Sequence, residues 1–123
     1  MAHKTAIITG AGGAIATHVS HAFAEAGWKL ALVAFDAAER QHLEAAHPEA
    51  CTVEANLADD ADARRAIGQA IGQCGRIDAL LNIAGGFDMS GAADTTPAQL
   101  EAQLDINLRT AFNATRAMLP HML

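Results

Sequence analysis

The stretch Thr5 to Ala16, TAIITGAGGAIA, constrains this chain more than any other. The apolar run Ala6-Ile7-Ile8 predicts a buried strand, Gly10, Gly12 and Gly13 predict a turn, and an amphipathic helical pattern begins directly afterwards. Strand, glycine turn and helix start in that order make an anion site. The first N–H groups of a helix have no partner within it, and the helix dipole adds partial positive charge there. Glycine lets the backbone turn tightly and approach a phosphate closely. The spacing is not G-x-G-x-x-G, because Ala14, Ile15 and Ala16 follow the glycines, and no Lys-Ser/Thr pair closes the turn as in a P-loop. On these residues alone the turn is either a nucleotide site or only a tight strand-to-helix connection.

The length of 123 residues allows one domain and one core, and 51% apolar residues make the composition globular. With 8 basic against 14 acidic side chains, the net charge of −6 argues against nucleic-acid binding through a broad basic face. No apolar run reaches membrane-spanning length, so no membrane partner is expected. The start runs straight into the first strand without room for a signal peptide, which implies a cytoplasmic protein. Cys51 and Cys74 lack CxxC spacing and read as structural thiols.

Along the chain, Ile15, Val19, Ala22, Phe23 and Ala26 recur at helical spacing, and Gly27 closes that pattern. Leu30 to Phe35 is a continuous apolar run that suits a strand buried on both faces. Asp36 and Glu39 predict a capping box for a short helix over residues 37 to 46. Cys51 to Ala55 is a third strand, and Asp59-Asp60 opens a helix that runs to Cys74 before Gly75. Ile77 to Ile83 is a fourth strand. A loop over residues 87 to 95 leads to Thr96, Pro97 and Gln99, which are cap, first helical position and capping-box partner of a long helix. Leu100, Leu104, Leu108, Ala111, Thr115 and Met118 track one of its faces, Ala102, Ile106, Ala114 and Ala117 a second, and Pro120 is expected to end it. The alternation β-α-β-α-β-α-β-α calls for an open parallel sheet with helices on both faces, a doubly wound α/β fold of Rossmann type. Ligands bind such sheets beyond the carboxyl ends of the strands.

Four motifs then coincide at ordered intervals. TGAGGAIA at 9–16, ANLAD at 55–59, LNIAG at 81–85 and INLRTAF at 106–112 together resemble the N-terminal half of the short-chain dehydrogenase/reductase family, over nearly the whole chain. The resemblance implies a single, incomplete NAD(P)-binding domain over residues 1–123, truncated after the fourth strand and its following helix. It further implies an oxidoreductase that moves a hydride between nicotinamide C4 and a carbonyl or alcohol carbon of a small molecule. Carried over by position, Gly10, Gly12, Gly13 and Ile15 line the phosphates and adjacent ribose, and Thr9 braces the turn. Asn56 and Leu57 lie by the adenine, and Ala84 and Gly85 by the ribose. Asn82 ties the central strands together. Asn107 is the active-site asparagine that holds a proton-relay water.

The chain departs from the family pattern at several of these positions. Ala14 and Ala16 replace glycines, Asn56 an aspartate and Ile83 an asparagine. The added methyls are expected to weaken dinucleotide binding rather than abolish it. Ala34 stands where a family aspartate takes the ribose 2′-OH; Asp36, two positions on, either reaches that ribose or serves as a helix cap. Arg40 is the only cation near the end of strand two, so the cofactor is NAD or NADP, with the absence of a partner for a 2′-phosphate favouring NAD.

The family's Ser and Tyr-x-x-x-Lys are expected beyond residue 123, and the chain contains no tyrosine. Residues 1–123 alone are therefore expected to lack useful dehydrogenase activity. In the family the long helix commonly builds a dimer interface, so a homo-oligomer is expected. His18 and His21, spaced i, i+3, have no further ligand nearby in sequence, and no metal is expected. A non-catalytic dinucleotide-binding module and a structural fragment on the same fold are the alternatives.

Overall fold

The computed structural model describes residues 3–123. Among them, four strands form one sheet: β1 (Thr5–Ile8), β2 (Lys29–Ala34), β3 (Cys51–Glu54) and β4 (Ala79–Leu81). All pairs are parallel and the order is β3-β2-β1-β4. Helices α1 (Ala14–Glu25), α2 (Ala37–Ala46) and α3 (Asp60–Cys74) make the three crossovers. After β4 come α4 (Pro97–Gln103), a π-helical segment Leu104–Arg109 and α5 (Thr110–Met122).

Pleating sends alternate residues of these strands to opposite faces. Ile8, Leu30, Leu32 and Ala34 pack with Ala16 of α1 and Leu43 of α2. Ile7, Ala31, Val33 and Val53 pack with Ala63, Ala66, Ile67 and Ala70 of α3 and Met118 of α5. Both faces of the sheet are thus covered, as near-continuous apolar runs demand. The alanines of α3 allow close approach, and Gly75, at φ +78°, stops that helix.

Four details differ from the sequence expectation. β4 is three residues long rather than seven, and at its carboxyl end the N–H groups of Ile83 and Ala84 donate to the Thr9 hydroxyl, each at 3.0 Å, instead of to a neighbouring strand. α1 turns Ala16 and Ser20 inward, and leaves Ile15 70% exposed at the rim. The long helix is broken by the π-helical segment, whose i→i+5 closure shifts every later residue around the axis. Thr110, Asn113, Ala114 and Met118 consequently face the core, while Leu100 and Leu108 face outward. Pro120 lies inside α5, which continues to Met122; so near the terminus a proline forfeits one hydrogen bond while its fixed φ remains helical.

Candidate functional site

In a sheet of order 3-2-1-4 the chain leaves β1 and β4 in opposite directions, which opens a crevice above their carboxyl ends. A hollow of about 760 Å³ lies there. Its wall comes from the four turns at that rim: Gly10, Gly12, Gly13 and Ile15 after β1, Phe35 and Glu39 after β2, Asn56 and Leu57 after β3, Ala84 and Gly85 after β4. Asp105, Ile106 and Thr110 close it from the π-helical side. The volume and mostly apolar wall suit a small-molecule or cofactor site.

The glycine turn is built for close contact. Gly10 sits at φ +60°, and a Cβ there would meet the Ala84 Cα at 2.6 Å. Two loops from distant parts of the chain therefore touch backbone to backbone. Behind them Thr9, almost fully buried, accepts from Ile83 and Ala84 and donates to the Leu81 carbonyl at 3.4 Å. Gly13 then begins α1 with no side-chain cap, whereas Asp36, Asp59 and Thr96 cap α2, α3 and α4. The first-turn amides of α1 are thus left open toward the hollow, where an anion can take them.

Asp36 is the N-cap of α2, its Oδ1 accepting from the Glu39 N–H at 2.8 Å. The expected capping box is only half formed. Glu39 passes over the Asp36 amide and accepts from Phe35 N–H at 3.4 Å and Gly12 N–H at 3.2 Å. Asn56 forms an Asx turn, its Oδ1 accepting from Ala58 N–H at 3.1 Å. Its own amide donates to Asp62 at 2.7 Å. The Arg65 guanidinium, and after it that amide, hold the Asp62 carboxyl below the usual carboxylate range. Asn82 Nδ2 donates to Thr115 Oγ1 at 3.0 Å, so it joins β4 to α5 and leaves the strand-to-strand tie to Thr9.

Asn107 stands beside the hollow rather than in its wall. Its Oδ1 accepts from Gly86 N–H at 3.1 Å and its Nδ2 donates to the Gly86 carbonyl at 3.0 Å. A Cβ on Gly85 would lie 2.7 Å from that Oδ1, so a side chain there would push the Asn107 amide away from Gly86. Two residues escaped the sequence reading. Glu39 was legible only as a cap, and Asn113, buried on α5, donates to the Leu57 carbonyl at 2.9 Å and fixes the turn after β3. The signal for Asn113 was a polar side chain on an otherwise apolar face, hidden by the shifted phase of the helix. Among the described residues no group of His, Cys, Asp and Glu is arranged to hold a metal ion.

A parallel sheet of this order with a glycine turn at its switch point is the α/β nucleotide-binding architecture. Residues 4–123 match the short chain dehydrogenase family, and the chain belongs to it. It is 34% identical to 2-(R)-hydroxypropyl-CoM dehydrogenase of Xanthobacter autotrophicus, over 98% of this chain and 51% of that protein. It is likewise 34% identical to oxidoreductase UcpA of Salmonella typhimurium, over 98% of this chain and 47% of the relative. The fold superposes on 3-ketoacyl-(acyl-carrier-protein) reductase from Brucella melitensis, solved with NADH, at a TM-score of 0.88 and 28% identity, covering 96% of this chain and 49% of that one. A blue fluorescent protein from a metagenomic library, solved with NADPH, superposes at 0.82 and 32% identity, covering 97% and 51%. The chain thus spans about half the length of the relatives it matches.

Proposed function

We propose that this chain supplies the dinucleotide site of an NAD(P)-dependent oxidoreductase acting on a small carbonyl or alcohol. The observation that carries the reading is the uncapped start of α1, opening from a glycine turn onto the hollow at the switch point. When bound, a nicotinamide dinucleotide supplies hydride transfer at its C4. The residues fit such a group: the hollow has room, and α1 rises from the glycine turn with no side-chain cap over its first amides.

Each part of the wall has a separate task in this reading. Amides at the start of α1 bind the diphosphate, with Gly10, Gly12 and Gly13 shaping the approach and Ile15 covering it. Thr9 keeps the turns after β1 and β4 in register. Asn56 and Leu57 bind beside the adenine, and Ala84 and Gly85 beside a ribose. Asn82 braces the end of β4. Asn107 fixes Gly86 and orients a water that relays protons. Residues 1–123 form one dinucleotide-binding unit, and the acid–base step belongs to Ser, Tyr and Lys side chains that these residues do not offer in a usable place. The protein works in the cytoplasm as a homo-oligomer that buries the outer face of α4 and α5. NAD is the favoured cofactor, because Arg40 is paired with Glu44 at 2.8 Å and no Lys or Arg is among the described residues lining the hollow.

Fluorescence titration of the purified chain with NADH and NADPH tests the reading. Saturable binding of a reduced dinucleotide with no turnover of carbonyl substrates is the expected result; binding of neither overturns it. Reading the gene past codon 123 tests the catalytic half separately, where a Ser followed by Tyr-x-x-x-Lys is expected.

A further inference from the structure

Of the described residues lining the hollow, Glu39 and Asp105 are the charged ones. Asp105 faces Arg109, at 2.8 Å. Glu39 has no cationic partner among the described residues. It is half-buried, and its carboxylate bridges Gly12 N–H of the glycine turn and Phe35 N–H at the end of β2. A Cβ on Gly12 would lie 2.4 Å from Glu39 Cγ and Cδ, so Gly12 makes room for this side chain as well as for any ligand. Asp36, nearer the strand, spends its carboxylate on the cap of α2.

We infer that Glu39, rather than Asp36, is the residue that discriminates between dinucleotides with and without a 2′-phosphate, an inference that rests on the dinucleotide reading above. An unpaired carboxylate held by two amides accepts hydrogen bonds from ribose hydroxyls through its free lone pairs. The same charge repels a phosphate brought to the ribose, and no described Lys or Arg in the wall offsets that repulsion. Selectivity here comes from the repulsive element as much as from the attractive one. Glu39 also holds the Gly12 amide that an anion would otherwise claim, so a 2′-phosphate must displace a like charge to reach it.

The test is the ratio of NADH to NADPH affinity, measured by fluorescence titration on wild type, Glu39→Gln and Asp36→Ser. Gln keeps the shape and an acceptor for Gly12, and Ser keeps a helix cap. Glu39→Gln is expected to shift the ratio toward NADPH by about tenfold or more, and Asp36→Ser to leave it unchanged. Raising the salt is expected to narrow the wild-type ratio and not that of Glu39→Gln, a readout that loss of structure would not produce. Far-UV circular dichroism checks that each variant is folded. If both dinucleotides bind and the ratio ignores Glu39→Gln, or follows Asp36→Ser instead, the assignment to Glu39 is overturned while the site stands. If wild type and variants bind neither, the dinucleotide reading itself falls and takes the assignment with it.

Discussion

At Gly10 the chain has no freedom to vary. Its φ of +60° and the 2.6 Å separation that a Cβ would have from the Ala84 backbone are independent obstacles to any side chain. Gly10→Ala is expected to cost about 3 kcal/mol, strain and overpacking together, read as a lower urea midpoint at unchanged m-value. Cys74 is constrained differently. Burial, and then the neighbouring Cys51, push its thiol up to about 12, so little thiolate exists at neutral pH. Iodoacetamide at pH 8 is expected to alkylate Cys74 much more slowly than a free cysteine; rapid modification would contradict that environment.

At the scale of elements, the π-helical segment can be tested through Asn107, which it carries. Asn107→Ala removes both bonds to Gly86 and one to the Gln103 carbonyl. These groups are exposed and water can replace the lost partner, so the expected cost is only about 1 kcal/mol. The amide of Gly86 is nevertheless expected to exchange faster, as hydrogen exchange by NMR would show. This segment also explains where reading the sequence succeeded and where it stopped. Apolar runs and caps are local signals, so β2, α2, α3 and the Thr96–Gln99 capping box were legible within a residue. The face of α5 was not, since the pattern of Leu100, Leu104 and Leu108 assumes one period throughout and the i→i+5 turn breaks it. The end of β4 was hidden for another reason: the Thr9 hydroxyl that takes the Ile83 and Ala84 amides is 74 and 75 residues away. Glu39 looked like a cap partner because the i, i+3 spacing is that of a cap; its turn toward Gly12 depends on a loop 27 residues earlier.

For the molecule as a whole, acid and surface both matter. Thr5 N–H, the largest influence, and then the Arg76 guanidinium hold the Asp78 carboxyl below its ordinary value, at the seam between β1 and β4. A carboxyl lowered by folding contributes stability above its unfolded pKa of about 3.9 and loses it as pH falls through the lowered value. Melting curves between pH 6 and pH 2 are therefore expected to fall more steeply for wild type than for Asp78→Asn. Leu108 and Phe112, each 61% exposed, belong to an apolar surface on the π-helical segment and α5, and β4 is an edge strand with an open side. Sedimentation is expected to show self-association that Leu108→Glu weakens without loss of helical circular dichroism.

The junction of Thr9 with Ile83 and Ala84 bears on how the protein is made. Ribosomal synthesis delivers β1, its turn and α1 early, yet the wall opposite them arrives only some seventy residues later. A nascent chain lacking β4 has the amides at the start of α1 but not the partners that hold Thr9 and Gly10 in place. The glycine turn is therefore seated only after β4 has docked beside β1.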